Sequence, residues 1–591
     1  MPPFAPDRLE KRRKEESSGI PSNPSLPYPC SKLSEVTQVL KDKPSETLVV
    51  GMREGEYCCL SGSYLFQVLK GSVDALEYKA TAGENIYFVE SPAVDNGICI
   101  RAIPSKSDTV VNGFLLSDDS RSEFQRMMEG YEVVVAFFSS DKRTLSAGFQ
   151  NAARKQGSTD SVTDATFTIP TATLLTPFYI LPLKHASKTA FSSLVHFDES
   201  WTKTLSTIAS CERSVTLVMG AKNVGKSMFC RGLLNALLNR NRKVALLDLD
   251  VGQGEFTIEG MFSLTQVTEP QLRTSSVPHL EASAQQRVFF GDRSPERNPL
   301  RYLEAIHFLL QQYFTTCSDL PLVINTCGWI KGIGASMLNE VYRGISCTHV
   351  VFLQTPETDE TCPILDIDEK KLFTLPAQKA EGKKASPGMI REKRLVHYLV
   401  GEYETKLGDR LLALPRYTLP LARFQYFIGP VRPSLYYVSL AGSVVGLSAD
   451  PSFVAREENL VVKEGEMAVA REENMTAARE EKMAAVAIDT STPFPDAPYI
   501  PPLMNKLPIC LNVGVGVVYS IDLKRSLVTL ITPLGKEEME SVNTIIIGKQ
   551  ALPQALMENS KSGIVQYYAS NIAGVGSMVV KARRDLKRIV S

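Results

Sequence analysis

One lysine, one serine and two aspartates give this sequence its chemistry. Gly220-Ala221-Lys222-Asn223-Val224-Gly225-Lys226-Ser227 fits the pattern GxxxxGK[ST]. Glycines in such a loop let the backbone turn tightly enough to aim N–H groups at phosphate oxygens, at the positive end of the following helix. Lys226 reaches the β- and γ-phosphates of a nucleotide, and the Ser227 hydroxyl ligates Mg²⁺. Further on, an apolar run over 243–249 carries Asp248 near its end, with Asp250 just beyond. A carboxylate there can hold a metal's waters or accept a proton. No histidine lies in either motif, so a carboxylate is the best base candidate. The residues alone do not choose between the two. We expect Asp248 as the base and Asp250, with Ser227, at the metal.

These groups need a strand, a turn and a helix to position them. The apolar run 215–219 suits a buried strand, and Phe229, Leu233, Leu234, Leu237 and Leu238 recur at helical spacing. Apolar runs at 322–325 and 349–354 predict further parallel strands, with helices over 199–209 and 300–314. The stretch Asn325-Thr326-Cys327-Gly328-Trp329-Ile330-Lys331-Gly332 then falls at the carboxyl edge of the sheet, where open α/β sheets bind ligands. Trp329 is either a core anchor or a base-stacking platform on a glycine-flanked loop. The segment 357–384 is polar and reads as loop. Arg391 and Arg394, three apart, share a helix face, which is either solvated or a lid over phosphates.

The rest of the chain frames this unit. It has 591 residues, enough for several cores, and Lys+Arg and Asp+Glu are both 65, so any basic surface must be local. The 11 cysteines show no CxxC and no zinc spacing, as expected of scattered thiols in a reducing compartment. No apolar run reaches the ~20 residues of a membrane helix, and the amino terminus is not a secretory signal, so no membrane partner is expected. Residues 1–31, rich in proline and carrying Lys11-Arg12-Arg13-Lys14, read as a disordered tail with a nuclear-import or RNA-contacting tetrad. Alternating short runs then predict a β-rich domain at 32–198, an all-β sandwich or barrel; Tyr64, Phe66 and Val68 share one face and Gly71 turns the chain. The α/β unit occupies 199–410. A second β-rich domain follows at 411–591, interrupted by a low-complexity AREE-repeating insertion at 455–490 and ending in a basic cluster. The fold class expected is α/β: a P-loop domain with a mostly parallel sheet, flanked by two β-rich domains.

In the order GxxxxGKS, DLDVGQGEFT, FFGDRSPERNP, NTCGWIKGIG and an arginine-bearing lid, the chain resembles the eukaryotic polynucleotide 5′-hydroxyl kinases. GQGEFTIEG and the ALP ending of VNTIIIGKQALP are similar to the nucleolar branch, which acts in ribosomal RNA processing. NTCGWIKG leans towards the sister branch of messenger RNA 3′-end cleavage and tRNA splicing. The resemblance implies ATP bound by Gly220, Ala221, Lys222, Asn223, Val224, Gly225, Lys226, Ser227 and Met228. Met228 stands where a second hydroxyl residue commonly follows. It implies Asp248, Asp250 and Gln253 as the second motif, Gln253 orienting a metal water or the γ-phosphate. It further implies Trp329 as a clamp on the RNA end and Arg391 and Arg394 as the lid. The cofactors implied are ATP and Mg²⁺; the partners are RNA with a 5′-hydroxyl end and an endoribonuclease, in the nucleus and nucleolus. A nucleotide-bound scaffold without turnover is the rival reading.

Overall fold

The structure, a computed structural model, describes residues 38–42, 47–91, 97–105, 109–111, 114, 118–139, 174–175, 178–180, 194–195, 197–273, 285–355, 361–378, 386–401, 407–427, 439–453, 508–523, 525–557 and 568–569. The tail 1–31, the insertion 455–490 and the basic carboxyl end lie outside them. Among the described residues, 38–195 form a single sheet of eleven strands. Its long strand Tyr57–Lys70 shows the expected alternation. Tyr64, Phe66 and Val68 enter one core with Val73 and Tyr87, while Leu65 and Leu69 enter another with Phe88 and Val134. Gly71, at φ 77°, turns the chain into the strand Ser72–Ala75. The unit is not all β. Helix Asp118–Gly130 contributes Met127 to the second core.

The central unit opens with helix α1 (Glu199–Ala209), whose N-cap Asp198 accepts from Trp201 N. Strand β1 (Val215–Gly220) and helix α2 (Lys226–Leu238) flank the glycine loop. Next come β2 (Val244–Asp248), β3 (Met261–Val267), β4 (Gln285–Phe289), α3 (Pro299–Thr316), β5 (Leu322–Asn325), α4 (Ile333–Gly344), β6 (His349–Gln354), β7 (Leu372–Pro376) and α5 (Pro387–Val400). The sheet order is β4-β3-β2-β5-β1-β6-β7. Strands β2, β5, β1, β6 and β7 run parallel, and β3 and β4 pair antiparallel at one edge. The chain leaves β1 to build β2 and β5 on one side and β6 and β7 on the other. The glycine loop therefore sits at the switch point, where such sheets leave a crevice. The segment 357–384 is not all loop: β7 lies within it, parallel to β6, its Leu375 buried.

A second β-rich unit follows, a seven-stranded sheet among the described residues from Arg416 to Ala569. The three sheets share cores. Phe229 and Leu233 of α2 and Trp201 of α1 pack in one cluster with Val73 and Tyr87 of the first sheet. Phe289, Leu395 and Leu399 pack with Val444, Val515 and Ile546 of the last. Among the described residues, no helix is long and apolar enough to cross a membrane.

Candidate active site

The phosphate loop has the geometry its glycines require. Gly220 and Gly225 lie at φ 150° and 100°, and Asn223 at 65°. A Cβ on Gly220 would meet Leu353 O, and one on Gly225 would meet the Trp201 ring at 2.9 Å and Gln378 O at 3.1 Å. Trp201 is fully buried, donates from Nε1 to Pro376 O at 2.9 Å and meets Phe229 edge-on. It is the core tryptophan that buttresses the loop, a role the sequence reading did not give it. Helix α2 begins on Gly225, which has no side chain to cap it, so its first-turn N–H groups keep their capacity for an anion. These features fit a nucleotide's phosphates. Lys226 is buried, donates to Ala221 O at 2.7 Å, and is held below its ordinary range by burial, against the attraction of Asp250. Lys222 and Asn223 are exposed, Val224 is buried, and Ala221, Ser227 and Met228 are half-buried.

The two aspartates differ. Asp248 is buried at the end of β2, where Oδ2 accepts Glu255 N at 2.5 Å and Oδ1 accepts Asp250 N at 3.1 Å and Asn325 Nδ2 at 3.0 Å. Burial, then the neighbouring Asp250 charge, pushes its carboxyl up to about 7. Asp250 is half-buried, and its Oδ1 accepts Gly252 N and Gln253 N, closing the turn. Its Oδ2 takes no hydrogen bond among the described residues, and its charge reaches Lys226. Gln253 is half-buried on the same turn. With the Ser227 hydroxyl, this hard-oxygen set suits Mg²⁺. No group of three or more His, Cys, Asp or Glu side chains is placed to hold a metal by itself among the described residues.

Strand β5, between β2 and β1, ties the motifs together. Thr326 Oγ1 donates to Val218 O at 2.9 Å, and Gly328 lies on the phosphate loop, where a Cβ would meet Lys222 N at 2.7 Å. Trp329 is half-buried rather than deep in a core. A Cβ on Gly334, in the first turn of α4, would meet its Cγ at 2.5 Å. Gly332, at φ 57°, is the N-cap of that helix.

Helix α5, which carries Arg391 and Arg394, docks on the aspartate turn. Arg394 is buried and donates from Nη1 to Gly254 O; burial holds its guanidinium below its ordinary range, against the pull of Glu255, Asp248 and Asp250. Arg391 Nε lies 3.2 Å from Glu259 Oε2. The two arginines share a helix face but not an environment. Sequence reasoning also missed Asn325, Glu255 and Arg231, whose partners are distant in the chain.

Residues 220–401 match the family described as mRNA cleavage and polyadenylation factor CLP1 P-loop. The chain is 29% identical over 400 residues to polynucleotide 5′-hydroxyl-kinase NOL9 of Arabidopsis thaliana, covering 62% of this chain and 95% of that protein. It is 24% identical over 586 residues to polynucleotide 5′-hydroxyl-kinase NOL9 of Danio rerio, covering 91% and 77%. A solved wild-type Clp1p–Pcf11p complex aligns with a TM-score of 0.46 at 11% identity, over 90% of this chain and 100% of that one. The phosphate loop, the aspartate turn and helix α5 all fall inside the matched segment, and the chain is similar to the eukaryotic polynucleotide 5′-hydroxyl-kinases that carry the names NOL9 and GRC3.

Proposed function

We propose that this chain transfers the γ-phosphoryl group of ATP to the 5′-hydroxyl end of RNA, in pre-ribosomal RNA processing within the nucleolus. The observation that carries this reading is the placement of Lys226 and the open carboxylate of Asp250 at neighbouring positions of one sheet edge. The names of the relatives point to the same chemistry. Phosphoryl transfer has a loose transition state, so alignment and charge neutralisation carry most of the catalysis.

The loop amides and Lys226 hold the β- and γ-phosphates. Ser227 would hold Mg²⁺, which would supply further neutralisation of phosphate charge. We assign the base to Asp250 in place of the expected Asp248. Both Asp248 oxygens already accept hydrogen bonds, whereas Asp250 keeps one oxygen open to a substrate hydroxyl. Asp248 then sets the turn that presents Asp250. Gln253 orients the γ-phosphate or a metal water, Arg394 neutralises charge at the transferring group, and Trp329 stacks on the terminal bases. An endoribonuclease that leaves a 5′-hydroxyl end is the partner this substrate requires.

The test is incubation of the pure protein with γ-labelled ATP and a 5′-hydroxyl RNA oligonucleotide. Label should appear on the RNA with the wild type and not with Lys226→Ala. Label transfer by Lys226→Ala, or none by the wild type, overturns the reading.

A further inference from the structure

Glu255 sits outside every role given above, yet the aspartate turn is built on it. Its backbone N–H donates to Asp248 Oδ2 at 2.5 Å. Its carboxylate grips Arg231, with Nε to Oε1 at 2.6 Å and Nη2 to Oε2 at 2.8 Å. Arg231 is 2% exposed and sends its remaining nitrogen, Nη1, to Arg273 O at 3.1 Å. The Arg273 guanidinium lies 3.5 Å from Glu90 Oε2 of the first sheet. Although burial alone would raise it, the Glu255 carboxyl is held below its usual range by Arg231. The adjoining Gly254 carbonyl accepts from Arg394.

The decisive fact is where Arg231 comes from. It belongs to α2, the helix whose first residue is Lys226. One rigid helix therefore fixes both the lysine at the phosphates and, through Glu255, the turn carrying the carboxylates. We propose that Arg231 and Glu255 are positioning residues that set the aspartate turn in register with the phosphate loop, anchored through Arg273 to Glu90 of the first sheet. A two-point guanidinium–carboxylate contact fixes direction as well as distance. A displacement of about 1 Å at a reacting centre costs on the order of a hundredfold in rate.

Only the kinetic arm of the test rests on the kinase reading. Two variants of the full chain serve, Glu255→Gln and the double variant Arg231→Met/Glu255→Met. Replacing a buried ion pair by apolar residues of similar volume is often neutral or stabilising, so the double variant separates positioning from folding. We expect kcat to fall about ten- to a hundredfold in both, with KM for ATP within about threefold of wild type and the double variant's melting temperature near wild type. Amide hydrogen exchange over 249–256 should quicken in both. If the double variant does not fold, Glu255→Gln carries the test. Wild-type kcat in folded variants, a loss expressed only in KM, or unchanged exchange overturns the proposal. A wild type that transfers no label sinks the kinase reading instead, and exchange then decides the positioning role.

Discussion

Asp248 and Asp250 stand two positions apart in sequence and in different physical environments. The apolar run that ends in them made the pair legible, because a strand feeding a ligand edge ends in this way. Their division of labour was not legible. It depends on Asn325, from β5, and on the Glu255 amide, which folds back onto Asp248. Substitution should separate them. Asp250→Asn leaves the turn's hydrogen bonds available through one oxygen and should lower label transfer by ~10²–10⁴ with little change in melting temperature. Asp248→Asn turns an amide NH₂ towards a backbone or side-chain donor in a buried site, which costs ~1–3 kcal/mol. Its loss of activity should therefore come with a lower melting temperature. Kinetics and thermal unfolding on one preparation check both, and a fully active Asp250→Asn would return the base to Asp248.

At the scale of elements, strand and helix identities followed from apolar spacing. The runs at 322–325 and 349–354 are β5 and β6, and the helix predicted at 199–209 is α1. Strand β7 escaped because polar sequence surrounds it and only Leu375 of its residues is buried. Helix α5 shows what spacing cannot tell. Arg391 and Arg394 share a face, yet Glu259 engages one and the buried Gly254 carbonyl the other. Arg394→Ala should then lower turnover by ~10³ or more, as for an arginine neutralising transition-state charge. It should also cost ~1–3 kcal/mol of stability by stranding that carbonyl. Arg391→Ala loses a partly exposed ion pair, costs about 1 kcal/mol or less, and should retain most of its turnover. Equal, steep losses at both positions with unchanged melting temperatures would show that both arginines act on the phosphate. The loop before α4 offers a further check. Trp329 is half-buried against Gly334, so Trp329→Ala should weaken RNA binding about ten- to a hundredfold and leave ATP affinity nearly unchanged. Parallel loss of ATP binding with a drop of ~3–5 kcal/mol in stability would make the indole a core anchor instead.

At the scale of the molecule, changes in local pattern located three β-rich or α/β regions but could not reveal that they share cores. Hydrophobic periodicity says which face of an element is buried, not which distant segment covers it. Here the covering segments belong to other sheets. Helix α2 shares its apolar cluster with Val73 and Tyr87, and helix α5 shares its own with Val444 and Val515. Polar bonds cross the same seams: Asn235 Nδ2 donates to Leu76 O at 2.8 Å, Arg287 to Val513 O at 2.8 Å, and Tyr398 Oη accepts Val515 N at 2.9 Å. Separate domains with small polar interfaces would unfold in separate steps. Continuous apolar clusters across both seams instead predict one cooperative transition for the full chain. They also predict that the segment 199–401 alone exposes buried leucine, phenylalanine and valine on two faces and fails to fold. Guanidinium unfolding followed by tryptophan fluorescence and by far-ultraviolet circular dichroism tests the first point. Trp201 and Trp329 both lie in the central unit, so fluorescence reports on it while circular dichroism reports on all three sheets. Coincident midpoints support a single cooperative unit. A central unit that melts apart from its flanking sheets, or a segment 199–401 that folds and binds ATP unaided, would make the shared clusters ordinary domain contacts.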